Sequence, residues 1–137
     1  MNLDQARNSS KSFYLAFQRN MEQRTVSPGQ VQLLVVPAVV CAAFSIELGL
    51  KALLLQAGKQ ASGHKLAELF AKLESPMQQV LVEGVGLDKK QFSVSLEAAS
   101  YIFVEWRYLY EKDSANADIE FLSKLAGILQ GAIGSAR

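Results

Sequence analysis

A chain of 137 residues, half hydrophobic and 20% charged, is long enough to bury a core without disulfides and too apolar to be a disordered tail. Its formal charge of +1, from 14 basic and 13 acidic side chains, leaves no basic field of the kind that holds a protein on duplex DNA. The single cysteine, Cys41, cannot close an internal disulfide; it reads as a buried spectator thiol in a reducing, cytoplasmic setting. One domain spanning residues 1–137 is expected.

From Leu3, the positions Ala6, Phe13, Phe17 and Met21 follow helical spacing, which predicts an amphipathic helix stopping near Arg24. The first twenty residues are polar and charged, unlike a secretory leader. Thr25-Val26-Ser27-Pro28-Gly29 supplies turn residues without periodicity. From Val35 to Leu55 the chain is apolar on nearly every side, the pattern of a central helix touched by neighbours all round. Ser27-Pro28 offers a cap and first-turn pair for its start, and Pro37 is also tolerated near a start; a start close to Pro37 is favoured, with Gly58 terminating the helix. Leu33 to Ile46 is shorter than the roughly 20 residues of a membrane span, and Pro37, Glu47 and Lys51 interrupt or bound it, so a buried core helix is expected rather than a membrane segment. Glu47 and Lys51 stand four apart with the acid first, an order that suits a helical ion pair. On a helix this apolar, those charges require partners.

Ser62 is positioned to cap a short helix with the apolar face Leu66, Leu69, Phe70 and Leu73, placing the only histidine, His64, in its first turn. Ser75-Pro76-Met77-Gln78 has the form of a capping box opening another short helix that Gly84 and Gly86 end. Asp88-Lys89-Lys90-Gln91 repeats the pattern before a long helix expected to reach about Lys112. Along it Phe92, Leu96, Ala99, Phe103, Trp106 and Tyr110 form a core row, while Ser93, Glu97, Ser100, Val104, Arg107 and Glu111 form a polar one. Ile119, Leu122, Leu125, Ile128, Leu129 and Ile133 give the last helix, with Gly127 and Gly131 set for close approach by a neighbour. The predicted fold is all-α, an up-and-down bundle of four longer helices with two short ones inserted.

There is no phosphate loop, no cysteine pair and no His-Glu-x-x-His, so neither P-loop nucleotide binding nor a zinc site has its ligands, and no cofactor is expected. Arg107 is the strongest candidate for chemistry, since a guanidinium holds a phosphate bidentately without losing its charge; the structural alternative is an ion pair with Glu111 or Glu47. Glu47, Lys51, Arg107 and Glu111 are expected to form one polar cluster. His64 reads either as a helix-start residue satisfied by backbone or as a general acid or base. Trp106, Tyr108 and Tyr110 read as core or as surfaces for base stacking.

Three blocks, Ala42-Ala43-Phe44-Ser45-Ile46-Glu47-Leu48-Gly49-Leu50-Lys51-Ala52-Leu53-Leu54, Gly63-His64-Lys65-Leu66 and Phe103-Val104-Glu105-Trp106-Arg107-Tyr108-Leu109-Tyr110-Glu111, together resemble the HEPN superfamily of small prokaryotic helical bundles. The resemblance implies a dimerising bundle with functions centred on RNA, among them ribonuclease toxins, antiphage effectors and non-catalytic partners of nucleotidyltransferases. Active members of that family cleave RNA without metal, using an arginine followed after four to six residues by a histidine. Arg107 matches the arginine, but Lys112, Asp113 and Ser114 occupy the histidine positions, so the motif is broken. The resemblance therefore implies a non-catalytic or degenerate domain binding a protein partner, RNA or a nucleotide; the alternative is a metal-independent endoribonuclease in which His64 substitutes as proton carrier.

Overall fold

A computed structural model describes residues 1–22, 24–27, 30–32, 35–101 and 119–135. Among the described residues it is an all-α bundle with one small two-stranded antiparallel sheet. Helix α1 spans Leu3–Asn20, and strands β1 (Arg24–Ser27) and β2 (Gln30–Gln32) lead into α2, Val35–Gln56. The shorter α3 (Leu66–Ala71), α4 (Ser75–Val85) and α5 (Lys89–Ala99) follow, and α6 covers Ile119–Ser135.

The apolar-all-round helix is central, as its composition predicts. α1 packs along it, α6 and α3 pack against other parts of it, and α4 and α5 complete the bundle through α6 and α3. Ala38, Ala42, Ile46, Leu50, Leu53 and Leu54 are buried together with Leu66, Leu69, Phe92, Leu122, Leu125 and Leu129. By length and hydropathy α2 would pass for a membrane span over Val36–Gln56, yet 78% of its apolar 18-residue window is buried within the protein. The start at Val35 agrees with a beginning close to Pro37, which falls in the first turn where a missing N–H costs nothing. Its end is a Schellman motif: Gly58 takes a left-handed φ of 72°, the Lys59 N–H bonds the Leu54 carbonyl at 2.9 Å, and the Gly58 N–H bonds that of Leu55 at 3.1 Å.

Several local expectations change. Thr25 to Ser27, expected as turn residues, belong to a strand that pairs antiparallel with β2, Thr25 opposite Val31, with a register irregularity between Thr25 and Ser27, while Pro28 and Gly29 lie outside the described residues. β-branched Val26 and Val31 favour extended backbone on either side of Pro28-Gly29, and strands this short carry no alternation to detect. Ser75 does not cap α4. The N-cap is Glu74, without a side-chain bond, and Gln78 reaches back to donate to the Phe70 and Leu73 carbonyls at 3.1 and 3.0 Å, closing the C-terminus of α3 instead. Asp88 does cap α5, accepting the Gln91 N–H at 2.8 Å. Helix α5, expected to run to Lys112, ends at Ala99 with Ser100 as its C-cap, making it no longer than α4. The Ser100 hydroxyl bonds the Leu96 carbonyl one turn back, a local alternative that serine offers to continued helix.

The close approaches change in part. Gly127 meets a neighbour as expected, an added Cβ lying 3.3 Å from the Tyr14 hydroxyl, whereas Gly131 has nothing within 4 Å. Two further tight positions are Gly84, where a Cβ would lie 2.8 Å from Ile128 Cδ1, and Gly49, where it would lie 3.3 Å from Leu129 Cβ and 3.3 Å from Ser10 Oγ. At the Gly49 crossing, Ser10 donates to the Ser45 carbonyl at 2.7 Å, Ser45 donates to the Ser10 carbonyl at 2.8 Å, and Gln130 Nε2 of α6 donates to Ser10 Oγ at 2.8 Å. Three helices therefore share one buried polar node built where the backbones come closest. Replacing Gly49 with valine is expected to destabilise the fold by about 2 kcal/mol, through overpacking at that crossing, as measured by urea denaturation.

Candidate functional site

Around α2, residues two apart point about 200° from one another, so Ser45 and Gly49 face one way and Glu47 and Lys51 the other. The first row meets α1 and α6 at the serine node. The second meets the connection between α2 and α3, and there the structure joins two residues that the sequence held apart. Lys51 Nζ donates to Glu47 Oε2 at 3.2 Å, and His64 Nδ1 lies 3.3 Å from the same oxygen. Glu47 and Lys51 are only 5% and 7% exposed, whereas the His64 side chain is 82% exposed. The cluster is thus a buried ion pair with one solvent-facing ring bonded to it. With Nδ1 directed at the carboxylate, the rest of the imidazole, Nε2 included, is turned outward.

The connection that delivers His64 is shaped by particular bonds. Gly58 and Gly63 both take positive φ, 72° and 102°, conformations that glycine adopts without a Cβ clash. Lys59 Nζ donates to the Lys72 carbonyl at 2.9 Å, and Lys72 Nζ donates in return to the Ser62 carbonyl at 3.1 Å, tying the connection to the far end of α3. His64 does not lie in the first turn of α3, because the helix begins at Leu66 with Lys65 as its N-cap. The N-capping role expected of Ser62 is absent too; that residue offers its carbonyl to Lys72.

Of the expected cluster, Glu47 and Lys51 come together as their spacing required, and His64 joins them. Arg107 and Glu111 lie outside the described residues, as do Trp106, Tyr108 and Tyr110. The serine node and the bond between Ser100 and the Ala67 N–H are not legible in the sequence, since polar pairs 33 or more residues apart leave no mark on local spacing.

Two other features carry less chemistry. A cleft of about 340 Å³ between α3, α4 and α5 is lined by Phe70, Gln78, Gln79, Val82, Glu83 and Phe92 among others, but Gln78 is bonded to α3 carbonyls and Gln79 donates to Glu83 at 2.9 Å, so its amide donors are engaged within the fold. Cys41 is half-buried, and that burial pushes its thiol pKa up, only partly offset by the Asn20 amide at 3.8 Å; a protonated thiol is a poor nucleophile. Among the described residues no group of three or more His, Cys, Asp or Glu side chains could hold a metal ion.

Comparison with known protein families, with curated proteins and with solved structures finds no match to this chain.

Removing one member of a buried pair leaves the other charge without compensation. Glu47→Leu is expected to destabilise the fold by about 3 kcal/mol, and the double variant Glu47→Leu with Lys51→Leu to recover most of that loss, both read by denaturant unfolding.

Proposed function

We propose that this chain is a HEPN-like domain without the arginine-to-histidine RNase motif, acting in the cytoplasm as a homodimeric binding module for a protein partner, RNA or a nucleotide. One observation carries the reading: the Glu47–Lys51 pair is kept buried on the central helix and is reached from outside by His64. A pair serving stability alone gains little over apolar residues of the same size, whereas a pair whose carboxylate is bonded to an exposed imidazole presents that imidazole, anchored on a buried charge, to a ligand. The order of the Glu47 and Lys51 block, the His64 block and the Arg107 block along the chain supports the family assignment. A nucleotidyltransferase-type protein encoded beside this chain would be the natural partner.

Fluorescence anisotropy against nucleotides and short RNAs, with pull-down for protein partners, is expected to find a ligand whose affinity falls about tenfold or more in Arg107→Ala and in His64→Ala, the latter removing an exposed ring with little cost in stability. Melting of the fold by Arg107→Ala, with no ligand lost in His64→Ala, would make the cluster structural. The mass in solution is expected to be twice that of the chain; a monomer at working concentration would remove the dimer.

The orientation of His64 favours a second reading, a metal-independent endoribonuclease. A carboxylate on Nδ1 sets the imidazole tautomer and leaves Nε2 to exchange protons with substrate, while Arg107 would stabilise charge on the phosphate. Cleavage of single-stranded RNA that resists chelators and disappears in folded His64→Ala is the expected result under that reading; full activity in the variant removes the histidine from the mechanism.

A further inference from the structure

The N-terminus of α3 has no cap of its own. Lys65 occupies the N-cap position without a side-chain hydrogen bond, and the first N–H groups of a helix have no partner within it. One of them is satisfied from a distance. The Ala67 N–H, at the second helical position, donates to Ser100 Oγ at 3.0 Å, across 33 residues of sequence. Ser100 is 3% exposed, and its single hydroxyl hydrogen goes to the Leu96 carbonyl at 3.0 Å, which leaves its oxygen as an acceptor for Ala67. Ser100 thus does for α3 what a local serine, threonine or aspartate ordinarily does for the second or third N–H of its own helix.

His64 directly precedes that cap. Its backbone is set on one side by Gly63 in a left-handed conformation and on the other by the start of α3, which the Ser100 bond joins to the end of α5. Here we propose that Ser100 is a positioning residue for the Glu47–Lys51–His64 site: the C-cap of α5 holds the beginning of α3 so that His64 Nδ1 meets Glu47 Oε2. The proposal rests on the reading of that cluster as a ligand site. It adds that the site's geometry is set by a helix that contributes no side chain to the cluster.

The test compares Ser100→Ala, Ser100→Thr and Ser10→Ala in the full chain. Ser10 is an equally buried, hydrogen-bonded serine at the other polar node, so Ser10→Ala controls for loss of stability alone. Long-range nitrogen–proton NMR of the His64 imidazole reports the Nδ1 bond, with Glu47→Gln defining the signal when the carboxylate charge is gone. In Ser100→Ala, exchange of the Ala67 amide should rise about tenfold and the His64 signal should move toward the Glu47→Gln position. Binding of a short fluorescent oligouridylate should weaken about three- to tenfold. Ser100→Thr should restore all three, and Ser10→Ala should leave the His64 signal in place. If Ser100→Ala does not fold, Ala67→Pro removes the donor instead; Pro76 already occupies the equivalent second position of α4. An unmoved His64 signal in a folded variant whose Ala67 amide is released overturns the proposal, as does an equal shift in Ser10→Ala. A moved signal with unchanged oligouridylate affinity upholds the positioning role and counts instead against the cluster as an RNA site.

Discussion

A helix that is apolar on nearly every side has to be covered along most of its surface, and the arrangement of this bundle follows from that demand on α2. Leaving its aliphatic residues in water would cost about 25 cal/mol for each Å² exposed, so among the described helices α1, α3 and α6 gather around it, and α4 and α5 pack on α6 and α3. Coverage by several helices brings backbones close, which is why small residues lie at the crossings. Gly49 and Ser45 sit where α1 and α6 approach, and Gly84 sits where α4 meets Ile128.

The same coverage makes every polar atom on α2 expensive unless it is bonded. Two solutions occur on opposite faces. Ser45 exchanges hydroxyl-to-carbonyl bonds with Ser10, and Gln130 joins them, which leaves a neutral and closed node. Glu47 and Lys51 bond each other, but both described contacts to the carboxylate converge on Oε2, and one of them comes from an exposed ring. The first arrangement is complete within the bundle, whereas the second is open at His64. That difference separates a structural contact from a candidate site.

Much of the scaffold supporting that site is borrowed across the chain. Gln78 of α4 closes the end of α3, Ser100 of α5 closes its beginning, and Lys59 and Lys72 exchange bonds with carbonyls on each other's segments. A six-residue helix has too few internal hydrogen bonds to stand alone, so its termini take partners from neighbours. His64 inherits its place from this borrowing.

The helices themselves were legible in the residues. Apolar spacing located α1, α2 and α6, the acid-first spacing announced the Glu47–Lys51 pair, and Gly58 and Asp88 marked a stop and a start, because each of these effects acts within one or two helical turns. Tertiary structure decided what needed distant groups to meet. It placed His64 on Glu47, closed the Ser10–Ser45–Gln130 node, turned Gln78 away from its own helix, and ended α5 at Ser100 where helical periodicity alone continued. Local spacing encodes which face of a helix a residue occupies, but which neighbour that face meets depends on how the covered helix is enclosed.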